Sequence, residues 1–505
     1  MKRWILALAL GLALPALADD KAKEAKKGAP KGTPKASSLE DVLAEAEQKS
    51  AAGDPDGAVA LLRKAAEQDA TGEAALHLGR VLEVQYDFDL AMDAYKSAGS
   101  KLSGAKKGEA LGRLSSLEDL RGVPDSVTTA ESASAADNAG AWPALALAKA
   151  RARQGKGDEA VALAEKARAS GGGAAATAAL GAAQEARGDF SAAEAAYREA
   201  ITAADARVAA SVGLARVLRR TGRAPEAEPL LRQVIAVAPG AIEAYKESAR
   251  VKVALNRPGE AMADAATAAA MAEGDLDAQR LVQEVTVAQA LSDLALGQAD
   301  MAIETLRALR DREPNLSPAR VGLAKALIAK RQLDPAIAEL QKAVEIDPAD
   351  AEAHYQLGYV SHVLKGNAAA ALPEYERAVA ADPGNVVYRT NLGAALTAVK
   401  DFDRAVAELT KVTETPGYNR ADAWIYLGQA HLGAKRYKDA IAALDKAVAI
   451  APNSDQAHAF LGWCYFGLKD VDNFKKYAGK AKALGHKEPT LLQYLTRVEA
   501  GEKIK

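Results

Sequence analysis

The side chains of this 505-residue chain that could do chemistry are six histidines, one cysteine, a glycine run and scattered acid pairs. His354 and His362 fall at different angles on one helix, and no cysteine or third histidine completes a zinc ligand set. Cys464 is alone, which excludes a disulfide framework and a zinc finger, and it reads as a small buried residue. Gly171-Gly172-Gly173 lacks the Lys-Ser/Thr that follows a phosphate-cradling loop, so it reads as a turn. Glu374 and Glu376 are expected on solvated helix faces rather than as an acid/base dyad. Neither a dinucleotide fingerprint, a zincin motif, a nucleophile elbow nor a calcium loop is present. The expectation is a protein that is not an enzyme and carries no cofactor or metal. With 65 basic against 67 acidic side chains, a net charge of −2 also argues against a nucleic-acid partner.

What remains is chemistry for binding. Basic residues gather in the middle of the chain. Aromatic residues gather at its end, where 16 of the 24 lie beyond residue 350. Rings that bury large area at low entropic cost often anchor interfaces.

The elements that must position these groups are helices. Apolar residues are 49% of the chain, but aromatics only 5%, so the apolar share is mostly small and aliphatic. From about residue 39 the pattern repeats with a period of about 34. In the unit starting at Ser317, Leu323-Ala324, Ala336, Leu340, Ala343 and Pro348 take positions 7, 8, 20, 24, 27 and 32. Leu357-Gly358, Leu392-Gly393, Leu427-Gly428 and Leu461-Gly462 hold positions 7 and 8 of the following units. Small residues at 8 and 20 let two helices approach, larger ones at 4, 11 and 24 fill beside the contact, and proline at 32 stops the second helix. His354 and His458 at position 4 and His431 at position 11 therefore read as satisfied core residues.

This pattern resembles the tetratricopeptide repeat over about nine tenths of the chain. The resemblance implies an all-α, right-handed superhelix of about thirteen helix-turn-helix repeats with a closing helix. The domains expected are an N-terminal array with degenerate repeats over 39–282, a consensus-like array over 283–488, and a capping helix and tail over 489–505. Two stretches depart from register. In 105–140 the second helix is polar and starts late; in 242–282 the unit is about seven residues too long, with a loop or longer helix near 271–277. Each reads as drift, a hinge or a docking bulge.

In this family, positions 2, 5, 9 and 12 of the first helix line the concave groove. Here that stripe is basic in the middle units, with Lys149, Arg216, Arg219, Lys246, Arg250 and Lys325. It is aromatic and polar in the last ones, with Tyr355, Tyr359, His362, Gln429, Trp463 and Phe466, bordered by Asn391 and Tyr426. The aromatic zone reads as partner-binding, the alternative being core or cap packing. Arg216, Arg219, Lys246 and Arg250 read as steering acidic segments, the alternative being pairing with acids of adjacent repeats. The carboxylate-clamp subclass is not matched, because Asn391 lacks its basic neighbours.

The start of the chain carries an address. Met1-Lys2-Arg3, an uncharged apolar run to Leu14 and Ala16-Leu17-Ala18 predict a signal peptide over 1–18, cleaved after Ala18. Residues 19–38, rich in Lys, Ala, Pro and Gly, are expected to be a disordered linker. No later segment is apolar enough to span a bilayer. The expected partners are other proteins, envelope or outer-membrane components. Resemblance to periplasmic members of the family in Gram-negative bacteria implies a scaffold in pilus biogenesis, gliding motility, outer-membrane assembly or polysaccharide export. The alternatives are a periplasmic chaperone or pilot for outer-membrane clients, and a regulatory partner of a cell-wall or glycan enzyme.

Overall fold

A computed structural model describes residues 38–502 apart from 122, 124 and 273. The expected signal peptide and all of the expected linker but Ser38 lie outside these residues. The described chain forms thirteen antiparallel helix pairs and one closing helix. The first seven pairs are α1 (Leu39–Ala51) with α2 (Pro55–Gln68), α3 (Glu73–Val84) with α4 (Phe88–Lys101), α5 (Gly104–Leu120) with α6 (Ser126–Ala136), α7 (Ala141–Arg153) with α8 (Gly157–Ala169), α9 (Gly173–Arg187) with α10 (Phe190–Ala200), α11 (Arg207–Arg220) with α12 (Ala224–Val237), and α13 (Ile242–Ala254) with α14 (Pro258–Met271). The last six are α15 (Leu276–Ala295) with α16 (Ala299–Arg312), α17 (Ser317–Ala329) with α18 (Leu333–Ile346), α19 (Ala351–Tyr359) with α20 (Ala368–Ala381), α21 (Val386–Ala398) with α22 (Phe402–Thr413), α23 (Ala421–Gly433) with α24 (Tyr437–Ile450), and α25 (Asp455–Gly467) with α26 (Val471–Ala483). A π-helical turn, Val360–Leu364, prolongs α19, and α27 (Pro489–Glu499) closes the stack.

The repeat pattern has a direct steric basis. The position-20 alanines Ala58, Ala91, Ala160, Ala193, Ala336, Ala371, Ala405 and Ala440 are fully buried. A β-carbon on Gly358, at position 8, would meet the Tyr375 ring at 2.7 Å, and one on Gly428 would meet Leu444 at 2.5 Å. Glycine at 8 therefore makes the space that the large residue at 24 fills. Asp or Asn side chains cap many of the helices, as Asp189, Asn367, Asp401 and Asp470 do by accepting an N–H three residues on. Twelve of the turns inside the pairs place one residue at positive φ. It is glycine at 53, 155, 188, 222, 297 and 366, but Tyr86, Asn256, Arg331, Lys400, Lys435 and Lys469 elsewhere.

Position 4 shows what the pattern alone concealed. Four late repeats put a polar group there that reaches back to the carbonyl of the preceding repeat's position-32 proline. Arg320 donates to Pro314 at 2.9 Å and Arg389 to Pro383 at 2.8 Å. His354 Nε2 lies 3.1 Å from the Pro348 carbonyl and His458 Nε2 3.0 Å from that of Pro452. The same side chains meet an acid at position 23: Arg320 with Glu339 at 2.6 Å, His354 with Glu374 at 2.6 Å, and Arg389 with Glu408. His354 is thus buried with both ring nitrogens satisfied, whereas His458 is buried with its Nδ1 unpaired and the half-buried His431 also leaves its Nδ1 unpaired, contrary to the satisfied-core expectation for these two. Glu374, expected on a solvated face, is instead half-buried and holds His354 and Arg377, whereas Glu376 is exposed and pairs with Arg404.

The two irregular stretches also resolve. The second helix of 105–140 is α6, which begins only at Ser126. The extra residues of 242–282 extend the next helix, since α14 stops at Met271 and α15 runs for 20 residues. The division expected between 282 and 283 therefore falls inside α15. Among the described residues no helix is long and apolar enough to cross a membrane.

Candidate functional site

The stripe residues of the last repeats do not all come together. Tyr355 and Tyr359, on α19, are half-buried with ring centroids 6.3 Å apart. Tyr355 stacks on Tyr388 of α21 at 4.9 Å and lies 6.1 Å from Tyr375 of α20. Tyr388 donates to Glu352 at 2.8 Å, and Glu352 also accepts from Gln356 at 2.9 Å and pairs with Lys325 at 3.0 Å. Burial alone would raise the Glu352 carboxyl, but these three donors hold it below the usual range. Tyr426 packs into the same apolar cluster, and burial raises its phenol. Asn391 turns its amide back to the Val387 carbonyl at 2.9 Å, and Gln429 is half-buried on α23.

Trp463 and Phe466 form a second, separate group under the closing helix. Their rings are 5.6 Å apart, and Tyr494 of α27 lies 6.0 Å from Trp463 and 4.8 Å from Phe466. Trp463 donates its indole N–H to Glu488 at 3.1 Å. These two rings cover the end of the stack rather than join the tyrosines.

The tyrosine group contains one residue that stripe reasoning missed. Position 24 is tyrosine in three repeats, and each hydroxyl points toward position 12 of its partner helix. Tyr95 donates to Glu83 at 2.7 Å, and Tyr197 lies 3.4 Å from Glu185. In the third, position 12 is His362, which sits inside the π turn, edge-on to Tyr375 at 6.1 Å between centroids. Tyr375 is fully buried, yet its hydroxyl and the buried His362 Nδ1 both lack a hydrogen-bond partner. Burial raises the Tyr375 phenol and lowers the His362 imidazolium, so both are neutral near pH 7. An unpaired buried polar group costs about 1–3 kcal/mol. A π turn beside it has re-aimed His362, and such turns recur at functional sites. The signal in the sequence was the exchange of Glu for His at position 12 opposite a tyrosine.

The four residues expected to steer acidic partners are all paired within the protein. Arg219 meets the buried Glu247 at 2.6 Å, and Arg216 meets the buried Glu185 at 3.5 Å. Lys246, only 2% exposed, is ringed by Glu243 at 2.8 Å, Asp275 at 2.5 Å and Asp277 at 3.3 Å. Arg250 meets Asp277 at 3.1 Å. Burial opposes the charge on Asp277, but Arg250 and Lys246 keep its carboxyl below the usual range. Cations so matched within the molecule keep little charge for steering. Among the described residues no cluster of three or more His, Cys, Asp or Glu could hold a metal ion.

Comparison with known proteins follows the fold. A tetratricopeptide-repeat model matches residues 43–101, 145–209 and 390–455, a second of the same description matches 185–248 and 431–493, and a TPR-repeat model matches 324–364. No curated protein matches. Among solved structures, YrrB, described as a TPR protein with an unusual peptide-binding site, aligns over 38% of this chain and 99% of its own, at 20% identity and a TM-score of 0.34. PilF of Pseudomonas aeruginosa aligns over 43% of this chain and 97% of its own, at 16% identity and a TM-score of 0.38. The Cut9–Hcn1 hetero-tetramer of the APC/C aligns over 91% of this chain and 96% of the matched chain, at 14% identity and a TM-score of 0.37. These likenesses concern the fold alone. With helix pairs in register and models of one repeat type matching along its length, the chain belongs to the tetratricopeptide-repeat superfamily.

Proposed function

We propose that the protein is an exported scaffold that holds a segment of a partner protein in the groove of its late repeats, as part of a cell-envelope machine. The observation that carries this reading is the buried pair of unsatisfied groups, the Tyr375 hydroxyl and His362 Nδ1, beneath the half-buried rings of Tyr355 and Tyr359. A hydroxyl and an imidazole nitrogen left unpaired within an aromatic cluster suit a backbone amide or a polar side chain of a segment inserted between the rings. Rings at the rim supply apolar contact, and the Lys325–Glu352–Tyr388 network fixes their orientation. The activity proposed is binding. Export rests on the charged, apolar and small-residue sequence of residues 1–18.

The test is affinity capture from cells with the wild-type chain and with Tyr355→Ala/Tyr359→Ala. The reading expects a few stoichiometric envelope proteins, lost from the double variant while its helix content is unchanged. Many substoichiometric outer-membrane clients would indicate a chaperone instead. Capture unaffected by the double variant would place the interaction elsewhere. Export is checked separately, by the mass of the mature chain and its recovery in the periplasmic fraction.

A further inference from the structure

The early repeats coil back on themselves. Arg121, at the end of α5, donates one guanidinium N–H to the Gly240 carbonyl at 2.7 Å and another to Asp89 at 2.7 Å. Arg121 and Gly240 are 119 residues apart. Gly240 also lies against Phe88, whose ring a β-carbon there would meet at 3.6 Å. One continuous buried core joins α1–α5 to α9–α13. Between these walls lies a cavity of about 780 Å³ that opens to solvent.

Its size and lining point to a small ligand. Small-molecule sites run from about 300 to 1,000 Å³. The walls carry Trp142, Val212 and alanines such as Ala178, Ala182 and Ala209, whose short side chains leave the space open. Seven carboxylate and seven cationic residues also line it. Six of the cations are matched by ion pairs. Lys149 is the exception: among the described residues it makes no hydrogen bond or ion pair. Burial depresses its ammonium pKa, which Asp119 only partly offsets.

We propose that this cavity binds a small acid with an apolar body, its anionic group paired with Lys149 and its body lying against Trp142 and the alanine walls. This site is independent of the late groove and does not rest on its reading. An anion there supplies the counter-charge that Lys149 lacks. The alanine surface gives the apolar body somewhere to go.

The test is calorimetric titration of the full chain with dodecanoate and with dodecanol, the same body without the charge. The expectation is one dodecanoate per chain, tenfold or more weaker binding by Lys149→Met, and no effect of that change on dodecanol. Ala182→Phe, which narrows the cavity but keeps the lysine, should weaken binding of both. Circular dichroism verifies each fold, and if Lys149→Met fails to fold, Ala182→Phe alone decides. The proposal is overturned if the folded wild-type chain binds no dodecanoate, if neither substitution weakens it, or if tetra-alanine with a free carboxylate binds more tightly than dodecanoate.

Discussion

The early and late repeats share one helix-pair plan and spend their polar groups in opposite ways. At position 24, Tyr95 and Tyr197 find glutamates across the pair, whereas Tyr375 finds none. At position 4 the early repeats carry small side chains, Ala75, Ala144, Thr177 and Ser211, and the late ones carry Arg320, His354, Arg389 and His458 clamped to a proline carbonyl and, in three of them, an acid. The early half pairs its groove cations internally, Lys149 excepted, and curves around a cavity. The late half locks its repeat junctions and leaves its groove chemistry unspent. One repeat can therefore line a charged cavity or an aromatic strip, depending on which side chains stand at its groove positions.

Substitutions should separate the two halves, beginning with the largest effect. Lys246→Met strands Glu243 and Asp275 around a buried position, while Asp277 keeps Arg250. It should cost about 3–5 kcal/mol in urea unfolding, against ~0–1 kcal/mol for Lys325→Met, whose pair with Glu352 is a third exposed. Equal losses would erase the distinction.

Next is the tyrosine contrast. Tyr95→Phe removes the donor to Glu83 and should destabilise by about 1–2 kcal/mol, while Tyr375→Phe, which removes an unpaired hydroxyl, should be neutral or stabilising. If both lose the same amount, the Tyr375 hydroxyl is satisfied after all.

The cap gives a third handle. Burial pushes the Cys464 thiol up to about 12, so at pH 8 it is un-ionised and should resist alkylation by iodoacetamide. Trp463→Ala, by loosening α27, should speed that alkylation tenfold or more without weakening partner capture. Lost capture with unchanged alkylation would move Trp463 from the cap to the groove.

The smallest effect is in the backbone. Lys435 stands at φ 62°, where glycine serves in most early repeats. Lys435→Gly should raise stability by a few tenths up to ~1 kcal/mol, read as a small shift in thermal midpoint. A fall would mean that the Lys435 side chain makes contacts worth more than the strain.

The fold was legible because its determinants are local and repeated: a small residue at 8, alanine at 20, proline at 32. Even the closing helix and the late start of α6 followed from a break in that register. The groove was legible only as a stripe. That Arg219 meets Glu247 and Arg250 meets Asp277 depends on pairs 28 and 27 residues apart, a spacing just under one period that a helix-face reading does not inspect. The link from Arg121 to Gly240 depends on how far the coil winds, which no local pattern encodes. The π turn at Val360–Leu364 takes up one extra residue, Leu357 and Ala371 being 14 apart where Leu323 and Ala336 are 13 apart, but that spacing alone does not say where His362 is aimed. Trp463 and Phe466 held groove positions in register, but the last repeat has no successor and α27 takes that surface.

The claim at the centre of this account is that the late groove, at Tyr359 and His362, is where a partner segment lies. A photo-crosslinking residue placed at Tyr359, compared in living cells with one at the exposed Lys342 on the outer helix α18, tests it most directly. The account predicts a discrete adduct from the Tyr359 site and none from Lys342. Adducts of equal yield from both sites, or none from Tyr359, would contradict it.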